Sequence, residues 1–275
     1  MTTRAPAALV SGGVARGIRY EWVRFSTLRS SYWAAGWIVA LSLLFGVSLG
    51  MDVRGLPENS RISGDLAFQN LNLAAEFTGI PLIGLIVGIL GICSMTHEHR
   101  YGTIRPLFVA IPRRADVVLA KVYVISGAAA AATALSCLIV VCAAMAVSTG
   151  RLIEAAPGTG GILLAISCYF AVVVLCAIAG IALGTVTRSS AVAIALWLVF
   201  PLLGETTIYL VVHGLDSLQA IAAAADWLPF RAAQKGVAST DFENIPRRLL
   251  GVLVFTAWVS GLAAAAFHAV QRRDA

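Results

Sequence analysis

The sequence predicts an all-α polytopic membrane protein, with six transmembrane helices preceded by an amphipathic helix at the membrane interface. Three observations carry that expectation. Of the 275 residues, 59% are hydrophobic and only 12% charged, about half the roughly 25% charge of ordinary soluble domains, and mean hydropathy is +0.86. The apolar residues gather into six runs near the roughly 20 residues that cross a hydrocarbon core of about 30 Å. Arginines stand at the ends of those runs rather than along one polar face, the placement that the positive-inside bias produces.

In chain order, residues 1–31 form a cytoplasmic N-terminus and the amphipathic helix. Met1 to Gly13 is small and polar, so no cleavable signal is expected. Val14, Ile18, Trp22, Phe25 and Tyr32 share one stripe at helical spacing, with Arg16, Arg19 and Arg24 off it. Glu21 and Arg29 intrude on the apolar face. The pattern suits a helix in the headgroup layer, with Trp22 and Phe25 in the lipid and Arg16, Arg19 and Arg24 near anionic phosphates. A transmembrane domain over 32–270 follows. Its runs are Tyr32–Leu49, Thr78–Met95, Val117–Ser148, Ile162–Val186, Ala191–Val212 and Leu249–Val270. The third is long enough to project beyond the bilayer.

Lys and Arg concentrate on one side of these runs. That side holds Arg4, Arg16, Arg19, Arg24 and Arg29, then Arg100, Arg105, Arg113, Arg114 and Lys121, then Arg188, Arg272 and Arg273. The other holds Arg54, Arg61, Arg151, Arg231, Lys235, Arg247 and Arg248, of which the last two dissent at an outer helix end. Both termini are therefore expected in the cytoplasm of a bacterial cell, with a cytoplasmic loop at 96–116, an outer loop at 214–248 and a tail at 271–275. Within the outer loop, Trp227-Leu228-Pro229-Phe230 forms an apolar knot. Its residues fit an interfacial aromatic anchor as well as a segment that dips into the leaflet.

The segment that carries most information is Thr96-His97-Glu98-His99-Arg100-Tyr101-Gly102-Thr103-Ile104-Arg105, continuing to Ala110-Ile111-Pro112-Arg113-Arg114 and Lys121. Such a basic cluster is excluded from a membrane interior and must face water between two spans. Gly102 allows a sharp reversal, Pro106 interrupts a helix begun at Thr103, and the arginines offer planar donors to carboxylates or phosphates. Glu98, Gly102-Thr103-Ile104-Arg105, Pro112-Arg113-Arg114 and Lys121 resemble, in order and spacing, the cytoplasmic loop of ABC-2 type transporter permeases. The resemblance is close over about forty residues and departs at His97, His99 and Pro106. It implies a type V exporter-like fold and a permease that binds no cofactor itself. ATP and Mg would sit on a partner ABC ATPase. That ATPase would dock on Glu98, Arg100, Tyr101, Gly102, Thr103, Arg105, Arg113 and Arg114, with a coupling helix in the loop and the interfacial helix adding contact. It also implies short re-entrant helices in the outer loop.

Other motifs are weaker. His97-Glu98-His99 places histidines two apart, on different helix faces, so no metal site is expected. Gly46-Val47-Ser48-Leu49-Gly50 matches a hydrolase nucleophile pattern, but it ends an apolar run and reads better as small residues packing against a neighbouring span. Gly84-x-x-x-Gly88 and Gly180-x-x-x-Gly184 fit a packed bundle or a dimer seam equally. Cys93, Cys137, Cys142, Cys168 and Cys176 all lie in apolar runs and read as buried small residues. Without a P-loop, ATP binding of that kind is not expected of the sequence given, and no basic run interleaved with aromatics suggests nucleic acid. Glu205, at membrane depth in the fifth run, is a substrate-path candidate together with Pro201, which could kink the run one turn earlier. Pairing of Glu205 with Arg247 is the structural alternative.

The expected function is therefore the transmembrane permease subunit of an ATP-driven exporter. It would dimerise with itself or a homologous permease in membrane lipid and move a hydrophobic or amphipathic substrate. The alternative is a scaffold or sensor subunit that recruits a cytoplasmic partner without transport.

Overall fold

The computed structural model describes residues 12–55, 75–101, 114–148, 159–238 and 244–273, and among them every regular element is helical. Helix α1 (Gly12–Thr27) lies ahead of α2 (Arg29–Gly55). After α3 (Ala75–Thr78) come α4 (Leu82–Tyr101), α5 (Arg114–Val147) and α6 (Thr159–Thr187). Helix α7 (Ser190–Val199) passes through a π turn at Phe200–Gly204 into α8 (Glu205–Gly214), making one interrupted rod. A 3₁₀ turn (Asp216–Ile221), α9 (Ala222–Ala225) and α10 (Pro229–Val237) lead to α11 (Ile245–Arg273).

Among the described residues, five helices are long and apolar enough to cross a membrane, over Arg29–Gly55, Ala115–Val147, Leu163–Thr187, Ser190–Gly214 and Ile245–Ala269. The second expected run is shorter, an apolar helix over Leu82–Glu98. It starts late because Gly79 adopts φ +75° and Pro81 disfavours helical backbone at Ile80. The Thr78 hydroxyl donates to the Ile80 carbonyl at 2.7 Å, fixing that corner.

Helix α6 is the centre of the bundle, touching α4, α5, α7, α10 and α11. Its Ala165, Val172, Val173, Cys176 and Ala177 are sealed from solvent, so packed side chains fill the middle of one bundle. The glycine pairs decide how closely helices approach. A Cβ at Gly180 would fall 2.1 Å from the Gly88 carbonyl oxygen, and one at Gly91 would fall 2.5 Å from that of Ala177. The two small-residue motifs therefore face each other across the α4–α6 contact within one chain. Gly46 and Gly50 approach α5 in the same way, meeting Val140, Ala143, Ala144 and Val147. One turn away, Ser42 and Ser136 share a 2.6 Å hydrogen bond. Small-residue packing thus accounts for the hydrolase-like pattern.

The four-residue α9 and the buried α10 replace any simple loop after α8. Phe230 packs against Trp197, Phe200 and Phe255 with ring centroids 5.5, 6.2 and 6.4 Å apart. Phe230 is thus anchored in the protein core and not in lipid.

A direct test contrasts two glycines. Gly180→Ala forces backbone against backbone, and overpacking of this kind typically costs about 1–3 kcal/mol. Its melting temperature in detergent should fall clearly. Gly127→Ala, where nothing lies within 4 Å of the added Cβ, should leave it unchanged or slightly raised.

Candidate functional site

Four ionisable side chains meet where α1, α4 and α5 converge. Lys121 on α5 is 0% exposed, Glu98 on α4 1% and Glu21 on α1 4%. The Lys121 ammonium donates to Glu21 Oε1 and Glu98 Oε1, each at 2.5 Å, and to the Ser94 carbonyl at 3.4 Å. All three of its protons are used. Arg24 Nη1 donates to Glu98 Oε1 at 2.7 Å and to the Ser94 carbonyl at 3.0 Å, with Glu21 Oε2 at 3.4 Å. Two cations and two carboxylates make the cluster formally neutral. Burial raises the Glu21 carboxyl above its ordinary pKa and Glu98 adds to this, while Lys121 and Arg24 oppose it.

This arrangement revises the expected orientation of α1. Its protein-facing stripe is Gly13, Gly17 and Glu21, while Trp22 is 57% exposed. A Cβ at Gly13 would fall 2.3 Å from Asp116 Oδ2, so the α5 side chain Asp116 packs onto α1 at this glycine. Glu21 does not spoil an apolar face; it defines the packed face. Arg24, expected among the headgroups, turns inward to reach Glu98, because a carboxylate sealed at a helix crossing draws the nearest guanidinium. Phe25 packs on the core, whereas Arg16 and Arg19 keep exposed positions.

The expected docking loop is rooted in this cluster. Glu98 lies near the end of α4, Tyr101 closes that helix and Arg114 opens α5. Arg100 is exposed. Gly102, Thr103, Arg105 and Arg113 lie outside the described residues. Glu98 makes its ion pairs inside the chain, and so holds the root of the loop in place of presenting a free carboxylate to a partner.

At the opposite end of the bundle, Glu205 and Arg248 hold the two ends of α10. Glu205, 2% exposed, accepts hydrogen bonds from the backbone N–H groups of Phe230 at 2.8 Å and Arg231 at 3.0 Å. The residue at the N-cap is Leu228, which has no side chain able to cap, and Pro229 at the first helical position suits the helix start. The carboxylate therefore caps the helix from a distant element, at the positive end of its dipole. Arg248, 2% exposed, donates to the carbonyls of Gly236 at 3.2 Å and Ala238 at 2.7 Å, at the negative end. Its position at the head of α11 thus answers a structural need of α10. Neither residue's bonding leaves Glu205 paired with Arg247. Pro201 and Glu205 do line one small cavity of about 130 Å³, with Thr78, Gly79 and Gln234.

The family model of ABC-2 family transporter proteins matches residues 28–204, more than half of the chain. The chain belongs to the ABC-2 transporter family. It is accordingly the permease of an ABC transporter, a multi-pass membrane protein. No curated protein and no solved structure matches it. The match takes in Glu98 and Lys121, whereas Glu21, Arg24, Glu205 and Arg248 stand outside it.

The residues that sequence reasoning missed are Glu21 and Arg248. A glycine, a glycine and a glutamate at four-residue spacing is the signal for the first. Arg248 leaves none, since its partners are backbone carbonyls of Gly236 and Ala238, which carry no sequence signature.

The capping geometry makes a sharp prediction. Glu205→Ala leaves two N–H groups unpaired in a buried site, worth about 1–3 kcal/mol each. Folded yield and melting temperature should fall. Adding Arg247→Ala should give no rescue, because Arg247 is not the partner. Recovery in that double variant would show that the pair, and not the cap, is what matters.

Proposed function

We propose that this permease receives the stroke of a separate ABC ATPase through its 96–116 loop and converts it into movement of the transmembrane helices. The supporting observation is the sealed Glu21–Arg24–Glu98–Lys121 cluster at the root of that loop. It ties the interfacial helix α1 to the end of α4 and the start of α5. A force on the loop then moves three elements together, because separating them would expose unpaired charge to a low-dielectric interior. ATP binding would close the ATPase dimer, and the loops Glu98 to Arg114 of two permease copies would follow it. Residues Arg100, Tyr101, Gly102, Thr103, Arg105, Arg113 and Arg114 form the docking surface in this reading. ATP and Mg stay on the partner.

Among the described residues the centre around α6 is filled by packed side chains, which supports a dimer with the pathway between protomers. The cargo would be hydrophobic or amphipathic, and export is the direction suited to this class. Both termini would face the cytoplasm of a bacterial cell.

Coupling is tested in proteoliposomes containing permease and ATPase. Glu21→Gln and Lys121→Met should each lower transport-linked ATP hydrolysis at least ten-fold while the ATPase still copurifies. A loss of about 3–5 kcal/mol is typical when one partner of a buried pair is removed, so size-exclusion profiles must show folded protein. Normal coupled turnover in both would remove the cluster from this role.

Orientation is tested with single cysteines in a background lacking the five native ones. Ala224→Cys should react with an impermeant thiol reagent in intact cells, and Arg188→Cys only after permeabilisation. The reverse pattern would invert the topology.

A further inference from the structure

Helices α7 and α11 both pack on α6 but make at most a marginal contact with each other. A crevice of about 260 Å³ opens between them. Ala179 and Leu183 of α6 form its floor. The Phe230 ring of α10 lies against Phe200 and Phe255 and closes one end. Trp197, only 3% exposed, is the inner wall, its ring set over Gly88, where a Cβ would fall 2.4 Å from it. Leu196 and Trp258, 46 and 51% exposed, stand at the mouth.

The crevice is apolar by construction. Among the described residues, the only polar side-chain atoms in its wall are the two indole nitrogens. Trp197 Nε1 donates to the Leu85 carbonyl at 3.2 Å, and Trp258 Nε1 donates to the Trp227 carbonyl at 3.2 Å. Both donors are therefore spent on carbonyls that do not line the space, and an occupant needs no polar group there. Both walls belong to helices of spanning length. At that depth no water is at hand to fill a gap, and atoms that face a void lose their dispersion partners.

Dimensions decide what fits. Phe255 to Leu262 advance about 10 Å along α11. Spread over that length, the volume leaves a cross-section of about 25 Å². A helix with its side chains is about 10–12 Å across, roughly 80 Å² or more, so a span from a second copy is too thick. One extended hydrocarbon chain has the right girth, and the groove runs along a spanning helix as such a chain does. Phe255 lies about 10 Å beyond Arg248 along α11, and half a hydrocarbon core is about 15 Å. The crevice therefore sits at the depth of the distal half of a lipid chain.

We propose that this crevice holds one acyl chain of a bilayer phospholipid, inserted between α7 and α11 with its distal carbons against Ala179 and Trp197. The chain replaces the helix–helix contact that α7 and α11 do not make. It also packs beneath α10, on the Phe230 ring, whose N–H is held by Glu205, and on Phe200 of the π turn. Selection is by girth and depth of the chain and not by its headgroup.

The test places the full-length chain in nanodiscs with phosphatidylcholine that carries a diazirine in the distal half of one acyl chain. After illumination, labelled peptides are mapped by mass spectrometry. Adducts should form on the floor and inner wall, at Ala179, Leu183 and Trp197. Lipid that only bathes the surface labels Leu196, Trp258 and the 64% exposed Leu253 and leaves those three untouched. A diazirine close to the headgroup should label the floor at least five-fold less. Val259→Phe narrows the crevice from within, and Leu196→Trp plugs its mouth. Each should cut floor labelling at least five-fold and leave Leu253 labelling unchanged. Leu196 is at the surface, so its variant carries the test even where Val259→Phe lowers folded yield. Labelling confined to exposed positions, or floor labelling undiminished in folded Leu196→Trp, would overturn the proposal. So would crosslinks from the floor to a second copy, which would assign the crevice to a protein partner. No ATPase is needed, so either result stands apart from the transport reading.

Discussion

A buried charge needs an opposite charge beside it, and that requirement fixes one end of this molecule. Glu21, Arg24, Glu98 and Lys121 come from three helices, and no pair of them satisfies the others' needs alone. Lys121 bridges two carboxylates, and Glu98 takes bonds from two cations. In water such pairs are worth at most about 1 kcal/mol. Sealed as they are here, the penalty for separating them far exceeds that, even where their net stabilising contribution is small. The cluster consequently specifies geometry more than it adds stability. It sets where α1 sits, how α4 ends and how α5 begins, and so sets the base from which the 96–116 loop extends.

The opposite end solves a different polar problem. A nine-residue helix packed among apolar neighbours has N–H groups at one end and carbonyls at the other with no partners of their own. Water normally supplies these, or a local Ser or Asp does. Here Glu205 of α8 supplies the first and Arg248 of α11 the second. The helix is thus held by charges on both sides whose signs match its dipole. Gly79 completes the fit, since a Cβ there would fall 2.4 Å from the Phe230 carbonyl oxygen.

How much of this was legible follows from what kind of signal each feature leaves. Apolar runs and arginine placement are properties of single segments, so the helical membrane class could be read directly. The glycine pairs were visible, but their partner was not, because Gly88 and Gly180 meet across a large sequence separation. The polar sites divide in the same way. Glu98 and Lys121 stand out by their setting next to a basic loop, yet their mutual bonding and their link to Glu21 are tertiary facts. Glu205 was noticed as a carboxylate at depth. Its role depends on α10, which composition leaves open between an anchor and a helix, and Arg248 reads only as a topology signal, since backbone acceptors leave no mark in a sequence.

The π turn at Phe200–Gly204 sets the angular phase of everything after it. Trp197 and Glu205 are eight positions apart, and in an unbroken α-helix their side chains would diverge by about 80° around the axis. Absorbing one extra residue in a widened turn cuts that divergence to about 20° in the opposite sense. Both side chains can then address the start of α10, the indole through the Phe230 ring and the carboxylate through the Phe230 N–H. Pro201 suits this turn because it has no N–H to place in a regular ladder. Deleting one residue here would therefore close the wide turn into a regular helix with Glu205 still in phase, whereas inserting one into a regular ladder would swing Glu205 by about 100° off the α10 helix start with the hydropathy of the span almost unchanged.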